Sequence, residues 1–530
     1  MADEPDRANV RLAELVAALS LGIDLGFGQP MEHVLRQCLI ALRLAERAGL
    51  DEHDRAVVYY TALLVNVGCH TDAHEQARWF GDDIALKAGK YDHQLGTLRA
   101  AASGMRRIGA GRPPLHRFRV GLEFVFSGHR EIDGMIAQHA RIARLLGEQL
   151  GLSDEILAAL GAAYEMWDGH GWPGELRGDA VPMASRIAQV AEFVEVAYRT
   201  GGIEAATTMA RRRGGSQFDP GLAACLCADA GEIFDGLDTL QTWDAVIAAE
   251  PALAVVLTGE RFEAALLAIA NFIDLKSPYT LGHSRAVAEL AARAAAQLGL
   301  GAGEIRVVRH AGLVHDFGRL GVSNAIWDKP GPLGAGEWER VRMHPYVTER
   351  MLCQSKSLAP LGRIAVQHRE RLDGSGYPRA LAGNAISRPA RIIAAADAYQ
   401  AMREPRPYRP ALSAGAAAAQ VRADVRAGRL DAEISEALLS AAGHQVRRRR
   451  QGVAGLTARE IEVLRLLARG LSTKAIAEQL VITPKTAGKH VEHIYSKIDA
   501  SSRTAAALFA IRHGLLPEDE PAGSFEPVRA

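Results

Sequence analysis

The feature that most constrains this chain is that it contains one long pattern twice. GIDL at residues 22–25 reappears as FIDL at 272–275, His33 as His283, and VNVG at 65–68 as HDFG at 315–318, all 250 residues apart. Beyond a break the spacing becomes 205. His139 then falls on His344, WDGHGWP at 167–173 on LDGSGYP at 372–378, and RIAQVAE at 186–192 on RIIAAAD at 391–397. The change of spacing implies an insertion of 45 residues in the first copy, between residues 70 and 138. Residues ~15–240 and ~262–443 are therefore expected to be two versions of one folding unit.

The unit is expected to be helical. Ala-rich stretches carry apolar residues three and four apart, Gly and Pro fall mostly between them, and alternating β-branched runs are scarce. A chain of 530 residues exceeds one hydrophobic core and divides into about three domains. Lys plus Arg and Asp plus Glu both total 62, so any nucleic-acid surface must be local. No apolar run is long enough to cross a membrane and the start is acidic, so a cytoplasmic protein without membrane contact is expected. The five cysteines lack zinc-type pairing and are expected to be reduced and mostly buried.

The copies differ where chemistry would sit. The second has His283, His315, Asp316, His344, His368 and Asp397; the first has His33, Val65, Asn66, His139, Ala163 and Glu192 in those places. Valine and alanine cannot ligate a metal, and Asn66 lacks the charge of a bridging carboxylate, so the first copy is expected to hold no two-metal centre. Placed on a helix, His315 and Asp316 point about 100° apart, which suits two ions or a carboxylate bridging them. Imidazole with carboxylate is compatible with iron, manganese or zinc, and two such ions ~3.5–4 Å apart activate water and hold a phosphodiester in line.

These residues lie within YTLGH (279–283), LVHDFG (313–318), DKPGPL (328–333), HP (344–345), HRERLDGSGYP (368–378), ARI (390–392) and AD (396–397). Together the segments resemble the HD-GYP subfamily of HD-domain phosphohydrolases. The resemblance implies hydrolysis of cyclic di-GMP by two divalent ions, iron or manganese, with His283, His315, Asp316, His344, His368 and Asp397 as ligands. Asp316 is the implied bridging and catalytic carboxylate, and Gly376, Tyr377 and Pro378 form the implied loop beside the substrate. Arg319 replaces the family's Lys and Arg369 its second His; both arginines are expected at substrate phosphate, and Arg319 in catalysis. Arg406 and Arg409 match the family's closing segment, again beside phosphate. Tyr279 and Gln400 stand where carboxylates occur in other members, which favours two ions over three. The same replacements leave open a sensor that binds nucleotide without cleaving it.

The C-terminal part has a different rhythm. Thr457 and Glu460 form a capping box ahead of Val463, Leu464, Leu466 and Leu467; Gly470 ends that helix, Ser472 caps a second, and Thr483 caps a third that begins at Pro484. Residues 454–516 carry nine basic and five acidic side chains, with Arg447–Arg450 just upstream. The pattern resembles the LuxR-type DNA-binding domain. It implies a homodimeric regulator contacting DNA through Lys474, Thr483, Lys485, Thr486, Lys489 and His490. The expected organisation is a degenerate domain (1–240), a linker (241–261), the metal-bearing domain (262–443), a basic linker (444–453), the helix-turn-helix (454–516) and a disordered tail (517–530).

Overall fold

The structure is a computed structural model that describes residues 10–91, 108–109, 114–123, 129–251, 255–445, 453–498, 500 and 502–516. Arg447–Arg450, the tail and part of the insertion lie outside the described residues. The described chain is all-α apart from one two-stranded pairing, Val10–Arg11 antiparallel to Val256–Leu257. It separates into two compact units, one ending at His444 and one beginning at Gln445.

The duplication is visible helix by helix in the first unit. His33–Arg47 matches His283–Gln297, and Glu52–Leu64 matches Ala302–Val314, with both ends displaced by the same 250 residues. Past the insertion, Asp154–Gly161 matches Ala359–Ala365, and Met183–Arg213 starts 205 residues before Arg388–Arg403. The repeats also share a close approach. A Cβ on Gly68 would meet the His139 carbonyl oxygen at 2.1 Å, and one on Gly318 would meet that of His344 at 2.0 Å. In each repeat the glycine lets the HD-position turn sit directly against the helix carrying the next histidine.

The two repeats pack together in one unit. The opening helix of the first, Leu12–Gly26, lies on the 3-10 turn Phe317–Gly321 of the second, and Gly26 faces the Leu320 carbonyl. In the reverse direction, His70 sits edge-on to Phe272, with centroids 4.4 Å apart, and its Nε2 is 3.0 Å from the Phe272 carbonyl. Burial pushes His70 down to about 3, so it packs as a neutral ring. The cysteines are free, but only Cys38 and Cys69 are buried; Cys225 and Cys227 are intermediate and Cys353 is exposed. That is more exposure than the sequence suggested. No described helix is long and apolar enough to cross a membrane.

The second unit contains helices Ala458–Ala468, Thr473–Gln479, Pro484–Ile498 and Arg503–Arg512 around Leu456, Val463, Leu464, Ile476 and Ile494. The capping box is present: Glu460 N–H donates to Thr457 Oγ1 at 3.2 Å and Thr457 N–H to Glu460 Oε2 at 2.7 Å. Lys497 Nζ, 2.7 Å from Glu460 Oε2, ties the third helix to this cap. Gly488 lies inside the third helix, and a Cβ there would meet open space. Gly488→Ala is therefore expected to stabilise this unit by ~1 kcal/mol, read as a higher midpoint in urea unfolding followed by helical circular dichroism.

Candidate metal centre and DNA-binding face

Each candidate metal-ligating side chain is delivered by a different part of the second repeat. His283 opens its helix after Gly282, which has φ of +73°. Asp274 fixes that start by accepting the Ser284 N–H at 2.9 Å and its hydroxyl at 2.8 Å. Burial pushes Asp274 up to about 7. His315 terminates the helix Ala302–Val314, and Asp316 lies in the turn beyond it. The pair thus sits at a helix end, not within a helix as expected, because the chain turns there to bring Gly318 against His344. His344 lies in the helix Ala335–Leu352, His368 in the turn after Ala359–Ala365, and Asp397 in Arg388–Arg403.

All six side chains converge and are fully buried or nearly so. Asp316 Oδ2 is 3.9 Å from His283 Nε2 and 3.6 Å from His315 Nε2, while Oδ1 is 3.4 Å from His344 Nε2 and 3.6 Å from His368 Nε2. Asp397 Oδ1 is 3.4 Å from His283 Nε2. One carboxylate thus offers an oxygen to each of two histidine pairs. Carbonyls orient three of the rings: the Nδ1 atoms of His315, His344 and His368 lie 2.7, 2.5 and 2.7 Å from the oxygens of Gly312, Val341 and Ala365. Their Nε2 atoms are left facing inward.

The electrostatics suit cation binding. Burial pulls His344 and His368 down to about 4 and lowers His315 as well. Burial opposes the charge on Asp316 and Asp397, but His315 and Arg319 beside Asp316, and Arg369 and His283 beside Asp397, hold both well below the usual carboxylate range. Neutral imidazoles and charged carboxylates are the forms that ligate metals. His283 differs: burial lowers it, but hydrogen bonds to Asp397 and Glu404 outweigh that and raise it to about 9. Two buried site atoms, His315 Nε2 and Asp316 Oδ1, have no hydrogen-bond partner. Such orphans are costly unless a further group satisfies them, so the donor set fits metal binding. Two three-residue groupings suited to an ion occur among the described residues, His283 with His315 and Asp397, and His315 with Asp316 and His368.

Comparison with known proteins agrees with this geometry. The HD domain model matches residues 268–434, and the model for bacterial regulatory proteins of the luxR family matches 454–510. The 3'3'-cGAMP-specific phosphodiesterase 3 of Vibrio cholerae is 32% identical over 407 residues, covering 76% of this chain and 88% of that protein. The chain belongs to the HD-GYP phosphohydrolases. A crystal structure of a cyclic GMP-AMP specific phosphodiesterase from V. cholerae superposes with a TM-score of 0.57 at 28% identity, covering 82% of this chain and 99% of that one. The transcriptional regulatory protein LiaR of Bacillus subtilis is 49% identical over 61 residues, 12% of this chain and 29% of that protein.

The residues in which this HD-GYP protein departs from the family pattern surround the histidines. Arg319 places its guanidinium 3.8 Å from the centre of the Trp327 ring and Nη1 3.3 Å from Asp316 Oδ2. Arg369 brings Nη1 to 3.2 Å from Asp397 Oδ2 and donates from Nη2 to Oδ1 at 3.3 Å. Tyr377 lies edge-on to His344, with ring centroids 6.1 Å apart. The other loop residues have structural work. A Cβ on Gly376 would meet backbone of Arg371 and Glu370 at 2.4 Å, and Pro378 follows a cis peptide bond. Arg406 donates to the Tyr279 carbonyl at 2.7 Å and to Glu404 at 3.0 Å. Arg409 is placed differently from the phosphate contact expected of it. Its guanidinium donates to the carbonyls of Ala401, Met402, Glu404 and Pro410, so it organises the end of the Asp397 helix.

Two carboxylates were not singled out from the sequence. Glu404 lies 2.9 Å from His283 Nδ1 and accepts from Gln400 Nε2 at 2.9 Å, one helical turn beyond the position where the family carries Asp. Glu370 accepts the Arg379 and Leu381 N–H groups at 2.8 and 2.9 Å and so closes the loop around Tyr377. Neither sits in a pattern that periodicity detects, although Glu370 stands inside the HRERLDGSGYP segment that His368 opens.

In the helix-turn-helix, Lys474, Thr483, Lys485, Thr486 and Lys489 are exposed and His490 is partly so. Thr483 Oγ1 accepts the Thr486 N–H at 3.2 Å, which caps the third helix. Lys485, Thr486, Lys489 and His490 therefore occupy its first two turns, the part that recognition helices present to base edges.

Proposed function

We propose that this protein hydrolyses a 3',3'-linked cyclic dinucleotide at a two-metal centre and controls transcription through its LuxR-type domain. The observation that carries the reading is the Asp316 carboxylate, which divides its two oxygens between the pairs His283/His315 and His344/His368. In this reading the six residues hold two ions, iron or manganese, which when bound supply Lewis-acid activation of water and of the scissile phosphate. Arg319 and Arg369 orient phosphate oxygens, and the stacking of Arg319 on Trp327 limits its rotamers. Tyr377 faces a base or ribose from the loop. Cyclic di-GMP is the substrate implied by the motifs; 3'3'-cGAMP is named in the relative that spans three-quarters of this chain.

The test is chromatographic detection of linear dinucleotide from each substrate, using full-length protein reconstituted anaerobically with manganese or ferrous iron. Turnover of either supports the reading, and its absence for both in metal-loaded protein sinks it. A second reading has one observation in its favour. Arg369 engages Asp397 through both Nη atoms, and a guanidinium fixed beside a metal ligand suits binding without turnover. Calorimetric binding of intact dinucleotide with no product would select that sensor.

We propose a homodimer in the cytoplasm, two recognition helices reading two half-sites. Lys485→Ala with Lys489→Ala is expected to lower the slope of log affinity against log salt by about 2, since each phosphate contact contributes ~0.9. Fluorescence anisotropy with labelled duplex between 50 and 300 mM salt measures this; an unchanged slope would mean that this helix end does not meet the phosphates.

A further inference from the structure

The insertion that distinguishes the first repeat enters both repeats. Its helix Asp83–Ala88 and the following turn Gly89–Tyr91 run between the degenerate site and the metal-bearing site. At the near end, Asp83 is buried in the second repeat. Its Oδ1 accepts from Ser323 Oγ at 2.7 Å and from Asn324 N–H at 2.8 Å, and its Oδ2 faces Lys87 and Lys276 Nζ at 3.2 and 3.5 Å. Ser323 caps the short helix Asn324–Trp327. That helix ends in the indole that stacks on Arg319 and lies 5.3 Å, centroid to centroid, from the His344 ring. His74, earlier in the first repeat, is 2.8 Å from Asp328 at the end of the same helix.

At the far end, Lys90 enters the degenerate site. Its Nζ is 2.6 Å from Glu192 Oε1 and 3.4 Å from Asn66 Oδ1, the counterparts of Asp397 and Asp316. The rings of Phe27, Tyr91, Tyr164 and Phe193 surround it at 5.5–5.9 Å. An ammonium thus stands between the counterparts of two residues that would hold a metal cation in the second repeat, with its charge met by Glu192 and by ring faces. Tyr91 donates to the same Glu192 oxygen at 3.0 Å.

We propose that residues 83–91 are a strap that positions Arg319: Lys90 fastens it in the degenerate site, and Asp83 holds the helix bearing Trp327 beneath the arginine. Asp83 and Lys90 are positioning residues, and the first repeat is a working part of the catalytic one. The proposal deepens the proposed function and rests on that reading for its kinetic arm alone.

The variants are Asp83→Ala and the pair Lys90→Met with Glu192→Gln. The pair removes both charges, because a lone buried Glu192 would threaten folding. Leu226→Ala, in the first repeat's core away from the strap, reports general destabilisation. Expected is a fall in kcat of about 10-fold or more in both strap variants, with metal content retained, since small displacements of a positioning group cost this much. In an Arg319→Ala background the same changes are expected to cost less than about twofold, because their effect is already lost. Equal losses with and without Arg319, or the same kcat loss in Leu226→Ala at matched thermal stability, would overturn the proposal. Amide exchange supplies an arm independent of turnover. Protection at residues 323–328 is expected to fall about 10-fold or more in both strap variants and not in Leu226→Ala. Unchanged protection there would sink the strap whatever the enzyme does. A wild type that hydrolyses neither dinucleotide would sink the proposed function while leaving the exchange result to decide the strap.

Discussion

Asp316→Ala is expected to abolish turnover, by a factor of at least ~10³, and to remove bound metal from the protein. The size follows from position: one carboxylate lies within 4 Å of the Nε2 atoms of His283, His315, His344 and His368, so its loss strips the shared anion from both histidine pairs at once. Removing a single preorganised group from a site of this kind costs ~10²–10³, and Asp316 serves two. Stability should separate from activity. Without metal, the variant should lose only the stability that the charged Asp316 gains from His315 and Arg319, which is present at neutral pH and fades in wild type as pH falls through the depressed carboxyl range. With metal at 100 times its dissociation constant, wild type should gain about 2.7 kcal/mol and the variant nothing. Metal analysis by mass spectrometry, with thermal unfolding at several manganese concentrations, reads both. A variant that keeps two ions would remove Asp316 from the bridging role.

How far the sequence reached depended on whether a residue's task leaves a mark in its own neighbourhood. The helices were legible because the copies repeat their apolar spacing, and His33–Arg47 and His283–Gln297 coincide at both ends. The six candidate ligands were legible as a set because their residue types are rare together and recur in ordered segments. The convergence of His283 and Asp397, far apart in sequence, came from the resemblance; spacing alone does not place them side by side. Glu404 was not legible, since a single acidic residue after a helix says nothing of which imidazole it will meet. Lys90 was further out of reach. Its meaning depends on Glu192 and Asn66 having lost their metal-binding partners, and on an insertion threading back into the space so created. Arg409 shows the converse, a residue whose motif position implied phosphate but whose guanidinium is occupied by four carbonyls.

Gly318→Ala carries the second large effect, and it tests the fold and the site together. A Cβ at this position would lie 2.0 Å from the His344 carbonyl oxygen and 2.7 Å from the Thr348 nitrogen. Both are backbone atoms of one helix, so no side-chain rotation relieves the clash. The helix Ala335–Leu352 must move away, and it carries His344 with it. Overpacking usually costs 1–3 kcal/mol, and a backbone obstacle places this variant at the upper end, about 3 kcal/mol in chemical unfolding of the first unit's transition. Activity should fall further than stability explains, by ~10²-fold, because His344 leaves the Asp316 oxygen that it faces at 3.4 Å. The duplication supplies the control. Gly68→Ala meets the His139 carbonyl oxygen at 2.1 Å, almost the same obstacle in the repeat without the ligand set. Its stability loss should match, while metal content stays at the wild-type level. If both variants lost metal equally, the coupling would run through the shared core; if only Gly318→Ala does, the close approach of turn to helix is what sets His344 against Asp316.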